Sequence, residues 1–207
     1  MGPPGSGKGT QANRIADKLR VNLIATGDLF RQHQKNETEL GLVARAYMER
    51  GEYVPDDVTI NMVLNWIGLP EQTNGFLLDG FPRTLKQAQA LDKALSGQGG
   101  VDRVLFIDVP QPELIRRLEG RYICRECQTP YHSESSPSRN SVSCDKCGGE
   151  LYQREDDRPG VVSKRINVYF KETEPVVEHY RKKANLVEID GAVSIEDVAT
   201  KLDKALL

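Results

Sequence analysis

Short apolar runs and amphipathic stretches alternate along the chain. Four apolar runs predict strands, and they cover residues 21–25, 76–78, 104–109 and 186–189. The runs 76–78 and 104–109 are bounded by Gly, Asp or Pro, which predicts buried parallel strands there. Helical spacing of apolar residues first occurs at Ala12, Ile15, Ala16 and Leu19, directly after the Gly-rich stretch Gly2–Gly9. The chain therefore passes from a Gly-rich loop into a helix and then into the first predicted strand.

Further helices are predicted between the strands. One begins near Asp28, a second contains Leu40 and ends at Gly51, and a third begins at Pro55-Asp56. Later helical patterns cover residues 86–95 and 112–118, a helix after Pro159 that Pro175 interrupts, and a terminal helix capped at Ser194. This order predicts an α/β fold, with a parallel sheet of the five-stranded P-loop type and helices on both faces.

Residues 121–157 interrupt this order. Apolar periodicity disappears there, and Cys, Gly, Ser and charged residues dominate. All four cysteines lie in this segment, as Cys124-x-x-Cys127 and Cys144-x-x-Cys147 with sixteen residues between the pairs. Such clustered pairs match a structural four-cysteine zinc site, which would hold together a segment without a core of its own.

The stretch Gly2-Pro3-Pro4-Gly5-Ser6-Gly7-Lys8 matches the phosphate-loop pattern up to its lysine. Its glycines let backbone N–H groups surround phosphate oxygens, and Lys8 adds a full charge. Gly9 follows Lys8 where Ser or Thr is usual, so the magnesium-binding hydroxyl is displaced and Thr10 is not assigned that role. The loop predicts a nucleotide phosphate site.

The phosphate loop lacks the buried strand that normally precedes it, because only Met1 stands before Gly2. About five or six absent apolar residues, each worth about 1.5–3 kcal/mol when buried, would approach the whole stability of about 5–15 kcal/mol. We therefore expect that the first strand is missing and that the natural protein begins upstream of Met1.

The string Leu78-Asp79-Gly80-Phe81-Pro82-Arg83 leaves the end of a predicted strand, where ligands of parallel sheets collect. Asp79 is suited to act on magnesium through water, and Arg83 can donate two parallel hydrogen bonds to a phosphate. Four more arginines near the edges of the insertion could surround a transition state that carries spread negative charge. They are Arg117, Arg121, Arg154 and Arg165.

Charge and composition bear on whether the protein binds nucleic acid or membranes. The 207 residues include 28 basic and 30 acidic residues, for a net charge of −2. This balance gives no whole-chain electrostatic reason to bind nucleic acid. Without a long apolar run or a secretion-signal pattern, we expect a soluble, cytoplasmic protein with no membrane partner. We also expect a monomer without a nucleic-acid partner.

The motifs together resemble those of adenylate kinases, specifically the bacterial kind with a long, zinc-bearing lid. The matching strings are Gly2–Thr10 followed by Gln11-Ala12, Ala25–Asp28, Gly75–Thr84 and Gly149–Asp157, in the family's order. The resemblance implies reversible, magnesium-dependent transfer of a phosphoryl group from ATP to AMP to give ADP. It also implies a core at residues 1–24, 55–119 and 158–207, an AMP-binding lobe at 25–54 and a lid at 120–157.

The resemblance also implies roles for individual residues. The ATP-binding set would be Gly5, Ser6, Gly7, Lys8, Gly9, Thr10, Arg117, Arg121, Tyr131 and Val193. The AMP-binding set would be Thr26, Arg31, Glu52, Tyr53, Val54, Gly80, Phe81, Pro82, Arg83, Gln87, Arg154 and Arg165, with Gln87 reading the adenine edge. Lys8, Asp79, Arg83, Arg121, Arg154 and Arg165 would act on the reacting phosphates.

Two other functions remain as alternatives. A UMP/CMP kinase shares the phosphate loop and the Asp-Gly-Phe-Pro-Arg string, but such relatives usually have a short lid and Ala in place of Thr26. A zinc-ribbon module for nucleic acid would explain the cysteines but not the phosphate loop, and the insertion has little aromatic interleaving with basic residues. Between His132 and Ser143 the chain lacks the Asn-Pro-Pro turn common in relatives, which leaves the loop shape open.

Overall fold

A computed structural model describes residues 1–206, and Leu207, which the domain prediction assigned to the core, lies outside the described residues. The helices are α1 (Lys8–Leu19), α2 (Thr26–Lys35), α3 (Glu39–Met48), α4 (Asp56–Ile67), α5 (Leu85–Leu95), α6 (Gln111–Glu119), α7 (Pro159–Glu172), α8 (Glu174–Lys182) and α9 (Ile195–Ala205). The strands are β1 (Asn22–Ala25), β2 (Phe76–Asp79), β3 (Val104–Asp108), β4 (Arg121–Cys124), β5 (Pro130–His132), β6 (Leu151–Tyr152) and β7 (Leu186–Asp190). Short 3-10 turns cover Pro70–Gln72 and Glu155–Asp157.

The four strands predicted from apolar runs are confirmed as β1, β2, β3 and β7. They form two parallel pairs, because β1 pairs with β2 in the register Ala25 to Asp79 and β3 pairs with β7 in the register Asp108 to Asp190. The carboxyl ends of β1 and β2 therefore bring Thr26 and Gly80, the next residues along the chain, to the same edge of the sheet.

The two pairs are separate rather than parts of one continuous ladder. The Met1 amino group donates to the Leu105 carbonyl oxygen, and Ile107 N donates to Met1 O at 3.0 Å, so β3 bonds to the start of the chain instead of to β2. A cavity of about 40 Å³ is lined from both pairs, by Leu77 and Leu78 of β2 and by Leu105 and Ile107 of β3.

Helices cover the strands and bury their apolar side chains. The largest apolar cluster joins Ile15 of α1, Leu118 of α6, Ile166 of α7 and Leu202 of α9 to Ile107 of β3. A second cluster packs α4 and α5 against β2. Burial of this apolar surface supplies the main favourable free energy of folding and fixes the loops that follow the strands.

Three helix boundaries differ from the prediction. The helix predicted to end at Gly51 ends at Met48 as α3, because residues 49–51 form a turn in which Gly51 has a φ of 69°. Helix α2 begins at Thr26 rather than near Asp28. Asp28 then lies in the first turn, where its negative charge interacts favourably with the positive end of the helix dipole. The helix break predicted at Pro175 falls at Thr173, because a proline fits the first turn of the next helix but not the interior of a long one.

Residues 120–157, the lid, contain order that the sequence did not predict. Strand β4 lies between β5 and β6 in an antiparallel sheet, with Tyr122 opposite Tyr131 and Cys124 opposite Leu151. These strands have two to four residues each, too few to show alternation of apolar and polar positions.

Across residues 1–206, no helix is both long enough and apolar enough to cross a membrane.

Candidate active site

A single cleft of about 1410 Å³ is lined by the core, by residues 25–54 (the small lobe) and by the lid, and it contains every residue predicted to act on a nucleotide. From the predicted ATP-binding set it is lined by Gly5, Ser6, Gly7, Lys8, Gly9, Thr10, Arg117, Arg121, Tyr131 and Val193. From the predicted AMP-binding set it is lined by Thr26, Arg31, Glu52, Tyr53, Val54, Gly80, Phe81, Pro82, Arg83, Gln87, Arg154 and Arg165. Asp79 lines it as well.

The phosphate loop forms one end of the cleft. Gly5 and Gly7 adopt φ of 84° and 85°, a left-handed conformation that glycine tolerates without strain, and α1 begins at Lys8 directly after them. The N–H groups of a first helical turn have no partner inside the helix, so they and the helix dipole face the cleft with positive potential. Within the described part of the chain, the buried Ser6 hydroxyl also lacks a hydrogen-bond partner. The loop has the construction of an anion site.

Burial and neighbouring charges change the pKa of Lys8. Loss of hydration lowers its pKa to about 8; Asp79 opposes this effect, whereas repulsion from Arg83, Arg165 and Arg121 adds to it. A β-carbon added at Gly9 would lie 3.4 Å from Asp79 Oδ2, so the carboxylate faces the phosphate loop. The lysine and the aspartate are thus placed to act on the same bound group.

The turn after β2 holds Arg83 close to the small lobe. Arg83 Nε donates to Gly80 O at 2.7 Å, and Thr26 Oγ1 donates to the same oxygen at 2.9 Å. Gly80 has a φ of 78°, and a β-carbon there would lie 2.7 Å from Arg83 Nη2 and 2.9 Å from Thr26 Oγ1. Glycine is therefore required at this position by both its conformation and its close neighbours. The peptide bond between Phe81 and Pro82 is cis.

Two arginines share a fully buried carboxylate at the junction of lid and core. Asp157 accepts from Arg121 Nε at 2.8 Å and Nη2 at 2.6 Å, and from Arg165 Nη1 at 2.6 Å. Burial alone would lower the pKa of Arg121, but the Asp157 contacts outweigh it and the pKa is raised. Burial would raise the pKa of Asp156, but the charges of four arginines together outweigh burial and lower it, with Arg165 contributing most and Arg31, Arg121 and Arg154 adding to it. The acidic residues thus keep the guanidinium groups charged and in place.

Arg31 and Arg154 meet across the cleft. Both pair with Asp28, Arg31 from the same helix and Arg154 from the lid at 3.3 Å. Burial, followed by repulsion from Arg31 and Arg121, lowers the pKa of Arg154 to about 10. Among residues 1–206, the buried Nε atoms of Arg31 and Arg154 have no hydrogen-bond partner. Two buried donors without acceptors, next to like charges, indicate a place for an anionic ligand.

Three further residues of the predicted ATP-binding set line the cleft: Arg117, Tyr131 and Val193. Arg117 Nε pairs with Glu113 at 2.7 Å, and its Nη2 donates to Gly191 O at 3.0 Å, in the loop that contains Val193. The Tyr131 hydroxyl accepts from Asp145 N at 2.8 Å and lies 3.4 Å from Cys144 Sγ. Tyr131 therefore links the cleft to the cysteine cluster.

The four cysteines form one cluster in the lid. Their sulfur atoms all lie within 4.8 Å of one another, with 3.4 Å between Cys124 and Cys147 and 3.5 Å between Cys127 and Cys144. A disulfide needs about 2.0 Å, whereas tetrahedral zinc with Zn–S bonds of about 2.3 Å separates its sulfur ligands by about 3.8 Å. The cluster therefore fits zinc in size and ligand type.

Several residues at the site were missed by the sequence reasoning. Asp28, Asp156 and Asp157 were contained in the matched strings but were given no role, although they hold the arginines. Thr173 lines the cleft and donates to the Arg83 carbonyl oxygen, but it was not singled out, because a lone Thr next to a helix break carries no distinguishing pattern. The clearest available signal was the run of acidic residues directly after Arg154.

Comparison with known proteins agrees with this geometry. The family model described as adenylate kinase matches residues 1–185. The chain is 49% identical to an adenylate kinase of Dehalococcoides mccartyi, covering all of this chain and 95% of that protein. It is 50% identical to one of Carboxydothermus hydrogenoformans, covering all of this chain and 97% of that protein, and 45% identical to one of Archaeoglobus fulgidus, covering all of this chain and 95% of that protein. The chain therefore belongs to the adenylate kinase family.

Proposed function

We propose that this chain catalyses the reversible transfer of the γ-phosphoryl group of magnesium-bound ATP to AMP, which gives two molecules of ADP. Membership of its family makes the chain a phosphotransferase acting on nucleotides. The observation that carries the proposal is the convergence of seven basic side chains on one cleft that has a phosphate loop at its end. They are Lys8, Arg31, Arg83, Arg117, Arg121, Arg154 and Arg165.

ATP would occupy the half of the cleft next to α1. The N–H groups of residues 5–10 would bind its phosphates, and Lys8 would reach the outer ones. Arg117 would lie against the adenine, with Tyr131 and Val193 nearby, and all three line the same cleft as the phosphate loop.

AMP would occupy the half next to the small lobe. Its phosphate would lie among Arg31, Arg83 and Arg154, which all line the cleft, and the partnerless Nε donors of Arg31 and Arg154 support this placement. Thr26, the segment Glu52–Val54 and Gln87 would surround the nucleoside. In this proposal an anion site for the acceptor would lie beside the anion site for the donor.

The chemistry requires alignment and charge neutralisation rather than a base, because the phosphate of AMP is already ionised at neutral pH. An AMP phosphate oxygen would form a bond to the γ-phosphorus while the bond to the β–γ bridging oxygen breaks, and ADP leaves. Lys8, Arg83, Arg121 and Arg165 would stabilise the charge spread over the transferred group. Closure of the lid and small lobe would exclude water, the competing acceptor, and reopening would limit turnover.

Two metals belong to the proposal. Magnesium bound with ATP would neutralise phosphate charge, and Asp79, which faces the phosphate loop, would hold it through water. Zinc bound by Cys124, Cys127, Cys144 and Cys147 would be structural, because four thiolates leave no open position for a substrate. The cytoplasmic location, the monomeric state and the absence of nucleic-acid or membrane partners stay predictions.

Initial rates of ADP formation from magnesium-bound ATP test the proposal, with AMP, UMP, CMP or GMP supplied in turn. We expect fast turnover with AMP. Preference for UMP would identify a pyrimidine nucleotide kinase despite Thr26 and the long lid. No turnover with any acceptor, combined with salt-sensitive binding of nucleic acid, would favour the zinc-ribbon alternative and contradict the proposal.

A further inference from the structure

Gln87 is almost completely buried at the wall of the cleft, with 1% of its surface exposed. Its side-chain amide has two contacts inside the protein. Arg83 N donates to Gln87 Oε1 at 2.7 Å, and Gln87 Nε2 donates to Asp56 Oδ1 at 2.8 Å. Asp56 is the first residue of α4 and does not line the cleft, so its contact with Gln87 lies behind the cleft wall.

These two partners fix the orientation of the amide. A backbone N–H can only donate and a carboxylate can only accept, so the oxygen of Gln87 must face Arg83 and its nitrogen must face Asp56. A rotation by 180° would place oxygen against the Asp56 carboxylate and NH₂ against the Arg83 N–H, and both hydrogen bonds would be lost. Thr84 Oγ1 also donates to Asp56 Oδ1 at 3.0 Å, which holds the carboxylate in position.

The orientation determines which base edge the cleft accepts. A primary amide has two N–H donors and two oxygen lone pairs, and the internal contacts use one of each. One donor and one acceptor remain, and together they match a base that presents a ring nitrogen acceptor beside an exocyclic amino donor. Adenine and cytosine have this edge, whereas guanine, hypoxanthine and uracil present a ring N–H beside a carbonyl, which is the reverse pattern.

We infer that Asp56 is a specificity-determining residue that acts by positioning the Gln87 amide, and so selects an amino base over an oxo base in the acceptor nucleotide. The inference rests on the proposed function, because it concerns the acceptor site of that reaction. It adds a residue outside the cleft that controls what the cleft recognises.

IMP is the appropriate probe, because it has the size of AMP and differs only in the reversed edge of its base. The measured quantity is the ratio of kcat/KM for AMP to that for IMP. In Asp56→Ala the nitrogen of Gln87 loses its acceptor and only the Arg83 N–H opposes rotation, so we expect the ratio to fall by about tenfold. In Asp56→Asn the side-chain oxygen still accepts from Gln87, so the ratio should stay close to that of the unmodified chain.

A double-mutant cycle separates positioning from a general effect on α4. Gln87→Leu removes the recognising amide, and Asp56→Ala should then cause no further change in the ratio. An unchanged ratio in Asp56→Ala, equal losses in the Ala and Asn variants, or an equal effect of Asp56→Ala in the Gln87→Leu background would each overturn the inference. If the unmodified chain phosphorylates AMP, these results bear on Asp56 alone; if it phosphorylates no nucleotide, the proposed function fails as well.

Discussion

Tyr53 Oη lies 2.8 Å from Thr173 Oγ1, which in turn donates to the Arg83 carbonyl oxygen at 2.8 Å. Because that carbonyl can only accept, the Thr173 proton is directed to it, and the Tyr53 hydroxyl donates to Thr173. The Tyr53 ring also lies 5.2 Å from the guanidinium carbon of Arg83. Arg83 is thus held at its backbone and at its side chain by residues from two other parts of the fold.

Replacement of Thr173 should weaken catalysis without removing any group from the cleft chemistry. Thr173→Val keeps the shape of the side chain but loses both hydrogen bonds, each worth about 0.5–1.5 kcal/mol. With Arg83 less firmly placed, we expect kcat to fall by about tenfold, which corresponds to about 1.4 kcal/mol. Initial rates at saturating ATP and AMP measure the effect.

Thr173→Ser is the matched control, since it restores the hydroxyl on a smaller side chain. It should recover most of the lost kcat. Equal kcat in Thr173→Val and the unmodified chain would show that Arg83 is positioned without this hydroxyl.

Loss of Arg83 itself should be more severe. Arg83→Ala removes a charge from the proposed acceptor phosphate and from the transition state, and loss of one such preorganised donor costs about a hundredfold or more in kcat. Arg45→Ala is a suitable control, because Arg45 is exposed on α3 and pairs only with Glu49 among the described residues. Near-normal turnover in Arg83→Ala would remove Arg83 from the chemistry.

The buried carboxylate between lid and core should matter for stability. Asp157→Asn leaves the guanidinium groups of Arg121 and Arg165 without their shared counter-charge, and loss of one partner of a buried pair costs about 3–5 kcal/mol. Urea unfolding measures the free energy of unfolding. Asp203→Asn, which affects the more exposed pairs with Arg14 and Lys18, should cost far less. Similar losses in both variants would contradict the prediction.

The cysteine cluster should bind about one zinc per chain. In Cys144→Ser the cluster loses one of its two buried thiolates, and we expect lower metal content, a lower melting temperature and faster proteolysis within residues 120–157. Elemental analysis and mapping of the first cleavage sites measure these effects. Metal-free protein with an unchanged lid cleavage rate would show that the lid holds together without zinc.

The sequence predicted the four core strands and a phosphate loop at the cleft because each depends on local pattern. An apolar run such as residues 104–109 is a strand wherever it occurs in an alternating α/β order, and the phosphate loop is contiguous. The three lid strands were not predicted, because segments like Leu151–Tyr152 are too short to display a period.

Contacts between residues far apart in the chain were also not predicted from the sequence. Thr173 reaches Arg83 from ninety positions away, and Asp56 reaches Gln87 from thirty-one, and no local feature of Thr173 or Asp56 marks these contacts. Tertiary packing alone brings these polar atoms together, so the groups that orient the site were found only in the structure.

The pKa of Lys8 predicts a coupling between ATP binding and protonation. Burial and nearby arginines lower this pKa to about 8 in the ligand-free protein. Phosphates bound beside the amine would raise it, because negative charge favours the charged form. Near pH 7 the lysine is protonated in both states, so binding should take up few protons through Lys8. Near pH 9 it is mostly neutral before binding, so uptake should approach one proton per ATP.

Titration calorimetry at pH 7 and pH 9, in buffers with different ionisation enthalpies, measures this uptake. The same lowered pKa affects folding. Between pH 8 and about 10.5, Lys8 binds more protons in the unfolded chain than in the folded one. The free energy of unfolding should therefore rise with pH in that window, because the buried charge is lost. Lys8→Met should abolish both effects, whereas Lys18→Met, at an exposed position on the same helix, should leave them unchanged. Proton uptake of equal size in Lys8→Met would assign the coupling to another group.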